Sequence, residues 1–147
     1  MNVAEALAGV ARLFLDTAPI IYHVQRNATY RSRTLPIFQR LSRGDFQAAT
    51  SAMTLAECLV HPFRTGNAEL AERFRKTITR GVNTRYVGVD AVVERAAEIR
   101  ARHGLRLVDS FQIAAALAAG CDAFLTNDHD LKKVTEIRIL VLDDLEP

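Results

Sequence analysis

The sequence predicts an α/β protein, a three-layer α/β/α sandwich with a mainly parallel sheet of four to five strands. Short apolar runs of strand length recur along the chain, and segments with helical periodicity or helix-capping residues follow them. Two helical segments separate successive strands in the first three connections, which suits right-handed crossovers between parallel strands. The 147 residues suit one domain, and no linker, repeat or low-complexity tract divides them.

The predicted elements alternate along the whole chain. Strands are predicted at residues 12–15, 47–50, 84–89, 123–126 and 137–142. Helices are predicted at residues 3–10, 19–25, 30–42, 51–61, 67–80, 91–103 and 110–119. Pro36 is expected to break the helix at 30–42 or to mark its start, and Pro62 to follow the end of the helix at 51–61. Thr17, Ser51 and Asp90 are expected to cap helices.

The composition is that of a globular domain with a real core, since 49% of the residues are hydrophobic and 24% are charged. The formal net charge is +2, but residues 1–80 carry 11 Lys+Arg against 6 Asp+Glu, and residues 81–147 carry 8 against 11. A cluster of arginines in the basic half suits either a polyanion or acidic partner, or a solvated helix face. Its members are Arg26, Arg31, Arg33, Arg40 and Arg43.

Several functional classes lack support in the sequence. The phosphate-binding patterns GxxxxGK[ST] and GxGxxG and the serine-hydrolase pattern GxSxG do not occur, and the histidines show no zinc-type spacing. The N-terminus lacks a signal-peptide pattern and no apolar run approaches about 18 residues, so no membrane span is expected. Cys58 and Cys121 show no pairing pattern, which favours the reducing cytoplasm.

Four acidic residues stand where apolar segments begin, end or are interrupted: Asp16, Glu57, Asp109 and Asp128. In a parallel α/β sheet the carboxyl ends of the strands and the adjoining helix starts share one edge, where sites form. Carboxylates gathered there would repel each other unless a positive group lay between them. Hard divalent cations such as Mg²⁺ or Mn²⁺ prefer oxygen ligands, so the pattern favours a metal site.

Each acid also has a purely structural interpretation. Asp16 could cap the helix that follows its strand. Thr54 and Glu57 have the spacing of a capping box, although Ser51 looks like the cap, which would place Glu57 in the second turn among apolar neighbours. Asp109 and Gln112 have the same capping-box spacing.

Asp128 lies in a polar segment after a predicted strand, and an Asx-type contact to the backbone is its structural alternative. Asp130 could equally be the functional carboxylate or cap the helical turn that follows. Asp128 is favoured because it is nearer the strand end, and Asp130 is kept as a possible supporting residue.

Three strings resemble the PIN domain, and most of all its VapC-type branch, the toxin ribonucleases of bacterial toxin–antitoxin pairs. They are LFLDTAPIIY at 13–22, TLAECL at 54–59 and LRLVDSFQIAAALAAGCDAFLTND at 105–128. The resemblance covers essentially the whole chain. It implies a PIN-like fold with Asp16, Glu57, Asp109 and Asp128 as the catalytic and metal-binding acids.

The resemblance also implies supporting residues and one departure. The hydroxyls of Thr126 and Thr17 would support the acids. The family often has Asn two residues after its first Asp, and this chain has Ala18 there. A further family acid sometimes comes from the helix before the third string, where Glu94 and Glu98 are candidates.

By the same resemblance, the chain would be a Mg²⁺- or Mn²⁺-dependent ribonuclease. Water activated by the metal would attack a phosphodiester of single-stranded or looped RNA. The expected partners are an antitoxin protein and a second copy of the chain in a homodimer.

Two alternatives of other classes stay open at this point. One is a PIN-like module that binds RNA or a protein without cutting. The other is a phosphotransfer receiver or an Asp-x-Asp phosphatase, which Leu15 before Asp16 and Ala18 after it disfavour.

Overall fold

Five short segments, most of them buried, pair into one parallel sheet in the order β3-β2-β1-β4-β5. The computed structural model describes all 147 residues. The strands are β1 (Arg12–Leu15), β2 (Gln47–Ser51), β3 (Thr84–Val87), β4 (Ala123–Thr126) and β5 (Arg138–Val141). All four strand pairs are parallel, which confirms the predicted α/β sandwich and its sheet.

The two strands at the centre of the sheet carry the most apolar sequence. Phe14 of β1 is paired with Phe124 of β4, and their rings stack 5.0 Å apart. All four residues of β4 are buried, as expected for a parallel strand covered on both faces. The carboxyl ends of β1 and β4 therefore deliver Asp16 and Thr126 to the same edge of the sheet.

Seven helices cover the sheet in two layers. They are α1 (Val3–Ala6), α2 (Thr17–Val24), α3 (Arg31–Arg43), α4 (Ala52–Arg64), α5 (Ala68–Thr79), α6 (Val93–His103) and α7 (Leu107–Ala118). Helices α1 to α5 share one apolar core with the sheet, and α6 and α7 share a second core that includes Phe14 and Phe124. None of the helices combines the length and the apolar character needed to span a membrane.

Both prolines that were expected to limit helices lie inside them. Helix α3 runs through Pro36, and α4 runs through Pro62. The expected break and the expected end at residue 61 were therefore wrong. A proline inside a helix removes one backbone hydrogen bond, and here tertiary packing outweighs that loss, because the flanking Ile37 and Phe38 of α3 are buried in the core, as is Pro62 itself.

The starts of three helices also differ from the prediction. Asp16, and not Thr17, caps α2 by accepting a hydrogen bond from the Thr17 N–H. Asp90 begins a 3-10 turn, Asp90–Val92, and makes no cap for α6. Helix α7 begins at Leu107, three residues earlier than predicted, so Asp109 lies in its first turn and not at its cap. Ser51 caps α4 as expected, through the N–H groups of Met53 and Thr54.

Candidate active site

Asp16 is a nearly buried carboxylate held at the end of the central strand. It is 8% exposed, and both of its oxygens accept hydrogen bonds. Oδ1 accepts from the Thr17 N–H at 2.8 Å and from Gln112 Nε2 at 3.3 Å, and Oδ2 accepts from Thr126 Oγ1 at 2.8 Å. These donors fix the orientation of the carboxylate. Burial nevertheless raises the pKa of Asp16 to about 6, and the charges of Asp109 and Glu57 raise it further against the lowering effect of Thr126 and Thr17.

Glu57 is joined to the Asp16 segment through a hydroxyl. Thr17 Oγ1 donates a hydrogen bond of 2.7 Å to Glu57 Oε1 across 40 residues of sequence. The capping-box interpretation of Glu57 fails, because Ser51 caps α4 and Glu57 lies in the second turn of that helix. Its carboxylate is therefore turned towards the start of α2 and not towards its own backbone.

Gln112 is a buried amide that links three elements beneath these acids. It is fully buried, and its Nε2 donates to Thr54 Oγ1 at 2.7 Å as well as to Asp16. Its Oε1 accepts from the Ser51 hydroxyl, so both ends of the amide are used. The capping-box role predicted from its spacing to Asp109 is therefore wrong, and Gln112 instead positions α4 and α7 against Asp16.

Asp109 is paired with an arginine from the turn before its helix. Arg106 Nε donates to Asp109 Oδ2 at 2.9 Å, and Arg106 Nη2 donates to Oδ1 at 3.2 Å, an arrangement that uses both carboxylate oxygens. Asp109 is 6% exposed, whereas the Arg106 side chain is 73% exposed. The guanidinium therefore lies at the surface of the site and partly neutralises its charge.

Asp128 follows β4 and is linked to Asp16 through a threonine. Its backbone N–H donates to Thr126 Oγ1 at 3.1 Å, the same hydroxyl that donates to Asp16. Asp128 Oδ1 also accepts from the Asp130 N–H at 2.9 Å, which is the Asx-type contact expected from the sequence. Asp130 is exposed, and no hydrogen bond joins its carboxylate to the other acids.

The acids are coupled electrostatically around Asp16 and Arg106. The charges of Asp109 and Glu57 act on Asp16. The hydrogen bond and charge of Asp109 raise the pKa of Arg106, and the charges of Glu57 and Asp128 add to this. All four acids therefore lie within electrostatic range of one edge of the sheet. No three His, Cys, Asp or Glu side chains stand close enough to coordinate a single ion together.

The remaining candidates lie outside this network. Glu94 and Glu98 are exposed on α6. Arg106 and Gln112 are the two site residues that the sequence did not indicate. The spacing Arg106-x-x-Asp109 could have predicted the ion pair if the helix had been started at residue 107, because residues three apart face each other on a helix. Gln112 offers no such signal, since its partners lie 58 to 96 residues away.

The fold and the acidic residues define a class of protein, an all-parallel α/β domain with a group of carboxylates at the carboxyl edge of its sheet. The model of the PIN domain family matches residues 13–137. The chain therefore belongs to the PIN domain family, as its three strings suggested. No curated protein sequence matches the chain closely enough to be counted as a relative.

Solved structures of toxin–antitoxin systems have the same fold. VapBC2 from Rickettsia felis aligns with a TM-score of 0.66 at 17% identity, over 88% of this chain and 98% of that one. VapC20 from Mycobacterium tuberculosis, a toxin that cleaves the sarcin–ricin loop, aligns with a TM-score of 0.66 at 18% identity, over 86% and 98%. VapBC-1 from Haemophilus influenzae aligns with a TM-score of 0.63 at 21% identity, over 90% and 99%.

Proposed function

We propose that the protein is a Mg²⁺- or Mn²⁺-dependent endoribonuclease, the toxin of a bacterial toxin–antitoxin pair. The observation that carries the proposal is the buried Asp16 carboxylate at the carboxyl edge of the sheet, which three donors orient. The charges of Asp109 and Glu57 act on it, and Thr126 links it to Asp128. Membership of the PIN domain family supports the nuclease activity. The toxin role is supported by the fold shared with VapC proteins.

The donor set suits a hard divalent cation. Every candidate ligand is a carboxylate oxygen, namely those of Asp16, Glu57, Asp109 and Asp128, and a cation would offset the cost of ionising Asp16 in its buried position. Mg²⁺ is usually held by one or two carboxylates and keeps several waters and substrate phosphates as its other ligands. Binding therefore does not need three carboxylates in direct contact, which agrees with their spacing here.

The chain's own residues prepare this site for phosphodiester hydrolysis. Thr126, Gln112 and the Thr17 N–H hold Asp16 in one orientation, and the Thr17 hydroxyl holds Glu57 beside it. A bound divalent cation would activate a water molecule and neutralise charge on the scissile phosphate. Arg106, exposed at the surface of the site, has the fork geometry that binds phosphate oxygens. Asp130 is kept as a possible outer supporting residue.

The partners follow from the toxin role. Several structural neighbours are complexes of a VapC toxin with its VapB antitoxin, which supports an antitoxin partner for this chain. We include a homodimer in the proposal on the strength of the family resemblance. A cytoplasmic site of action is supported by two cysteines that are both free.

Cleavage of RNA by Asp16→Asn tests the proposal. We expect the native chain to cleave an RNA with single-stranded or looped segments in the presence of Mg²⁺ or Mn²⁺, and cleavage to stop when EDTA is added. Asp16→Asn should lower the rate at least about 100-fold, the size of effect seen when one preorganised charge-stabilising group is removed. Asp90→Asn makes the same chemical change at an exposed residue outside the site and should cleave normally.

Two outcomes would count against this assignment. Equal cleavage by the native chain and Asp16→Asn would mean that the active site lies elsewhere or that the activity comes from a contaminant. RNA binding without cleavage in any metal would favour a PIN-like binding module.

A further inference from the structure

A groove lined by basic residues lies on the face of the sheet covered by α2, α3 and α5. Its volume is about 680 Å³, far larger than one phosphate group, and it is open to solvent. Leu15, Phe38 and Leu41 form an apolar floor and are all buried. The walls carry five cationic side chains and no carboxylate, and these are Arg26, Arg31, Arg73, Lys76 and Arg80.

Most of these cations have no acidic partner. Arg80 pairs with Glu72 at 2.9 Å, but the other four make no salt bridge within the protein. Arg73 donates a hydrogen bond of 3.4 Å to the Val24 carbonyl, which joins the α5 wall to the end of α2. Several uncompensated positive charges facing one concavity repel each other, and a bound polyanion would relieve that repulsion.

The backbone at one of these residues is held in an unusual conformation. Arg26 has a φ of +53°, in the left-handed region that side chains other than Gly rarely adopt. It follows the end of α2, where a glycine would fit the turn at lower cost. This conformation closes the end of α2, where the Asn27 N–H donates to the Tyr22 carbonyl at 2.9 Å, and it points the Arg26 position at the groove.

A histidine within the groove responds to the same positive field. His23 stacks on Phe38 with 3.7 Å between the ring centroids. Burial lowers the pKa of His23, and the charges of Arg31 and Arg26 lower it further. The two arginines therefore add to burial in disfavouring a further positive charge at this position.

We propose that this basic groove binds the phosphate backbone of single-stranded RNA at a distance from the cleavage site. This inference rests on the proposed nuclease function and adds to it a second contact for the substrate. Helix α2, eight residues long, starts after Asp16 and ends shortly before Arg26, so about 12 Å of helix separates Asp16 from the Arg26 end of the groove. Since each nucleotide of a stacked strand advances about 3.4 Å along the strand axis, a stacked RNA touching both must be at least about four nucleotides long.

RNA suits the groove better than an acidic protein segment does. Protein interfaces have apolar and aromatic centres that use arginine but are depleted of lysine, whereas grooves that follow a single strand combine several cationic walls with apolar or aromatic surfaces. Guanidinium groups also match phosphate oxygens with two parallel hydrogen bonds. Four unpaired cations along an open groove have the features of the second kind of surface.

The test is the affinity of the full chain for a fluorescent 20-nucleotide oligouridylate, measured by anisotropy at several salt concentrations. Asp16→Asn serves as a non-cleaving background. In that background we compare two double variants. The groove variant carries both Arg73→Gln and Lys76→Gln, and the control variant carries both Arg95→Gln and Lys133→Gln. The second pair removes the same charges from exposed residues outside the groove.

The groove variant should bind about 10- to 30-fold more weakly at 0.1 M salt, and its salt slope should fall by about 1.4, as expected for two lost phosphate contacts on a single strand. The control variant should stay within about twofold of its background. Equal losses in the two variants, or none in either, would overturn the proposal. Equally groove-dependent binding of a 20-residue polyglutamate would overturn the RNA assignment in favour of an acidic protein segment.

A third variant removes a groove charge without an expected loss of stability, so that weaker RNA binding cannot be attributed to unfolding. Arg26→Gly removes one groove cation where glycine suits the backbone, so its melting temperature should equal or exceed that of the native chain while RNA affinity falls about threefold or more. Unchanged affinity would argue against the groove. Cleavage is measured separately: groove-dependent binding without any cleavage would reject the nuclease function alone, whereas cleavage with groove-independent binding would reject the groove alone.

Discussion

At the scale of single residues, the buried carboxylate of Asp16 lowers the stability of the folded protein at neutral pH. Its pKa rises from 3.8 to about 6, mainly because it is buried. Between these values the folded chain keeps a proton that the unfolded chain has released, so Asp16 lowers stability as the pH rises from about 4 to about 6, and the loss remains above that pH. The shift of about two units corresponds to about 3 kcal/mol.

Asp16→Asn should therefore stabilise the metal-free protein at neutral pH. We expect its free energy of unfolding to exceed that of the native chain by about 1–3 kcal/mol at pH 7.5 in EDTA, and by little at pH 4, where both side chains are neutral. Urea unfolding at the two pH values measures the difference. Asp90→Asn is the control, and an Asp16→Asn variant that is less stable at pH 7.5 would contradict the expectation.

The residues that the sequence indicated are those with a local signal. Asp16 and Thr126 stand at the ends of apolar strands, so their shared edge could be predicted, and the structure joins them by a hydrogen bond of 2.8 Å. Gln112 and Arg106 escaped prediction for different reasons. The contacts of Gln112 exist only after folding, whereas Arg106 was missed because the start of α7 was placed too late.

At the scale of elements, the sequence prediction failed at positions where core packing outweighs the local sequence signal. The five strands were found because each is short, contains apolar or β-branched residues and is bounded by polar or turn residues, and their bounds were within two residues of the structure. The prolines of α3 and α4 were overrated as helix breakers, since neighbouring buried side chains hold both helices to the sheet. Local propensity is a weaker influence than the burial of a helix face.

An ion pair that the sequence analysis did not predict holds the end of α6 in place. His103 Nε2 donates to Glu136 Oε1 at 2.7 Å, and the two side chains are only 10% and 11% exposed. Burial would raise the pKa of Glu136, but the hydrogen bonds from His103 and Thr135 and the charge of His103 lower it to about 2. The pair joins α6 to the loop that leads into β5.

Glu136→Gln should destabilise the protein in a pH-dependent way. A carboxylate with a lowered pKa adds stability above its unfolded value of 4.5, and that stability is lost as the pH falls towards 2. The expected loss is about 1 kcal/mol at pH 7, the usual net contribution of one hydrogen bond. Urea unfolding of Glu136→Gln and of Glu98→Gln, an exposed change on α6, the helix that carries His103, measures it. Equal stability of the two variants at pH 7 would contradict the role of the pair.

At the scale of the whole molecule, the acidic edge is assembled from four distant parts of the chain. Asp16 follows β1, Glu57 lies in α4, Asp109 lies in α7 and Asp128 follows β4. The unfolded chain cannot present these carboxylates together, so a cation held by them binds the folded state alone. Such a ligand stabilises the fold by about 2.7 kcal/mol at 100 times its dissociation constant.

Divalent metal should therefore raise the melting temperature of the native chain. The gain is on the order of 5–10 °C for a domain of this size at saturating Mn²⁺, with sodium chloride at matched ionic strength as the control. Asp16→Asn should lose at least half of this rise, because it would remove one carboxylate charge from the proposed metal site. Arg106→Gln should increase it, since it removes the cation that pairs with Asp109 at 2.9 Å. An identical rise in the native chain and in Asp16→Asn would place the bound metal away from the carboxyl edge of the sheet.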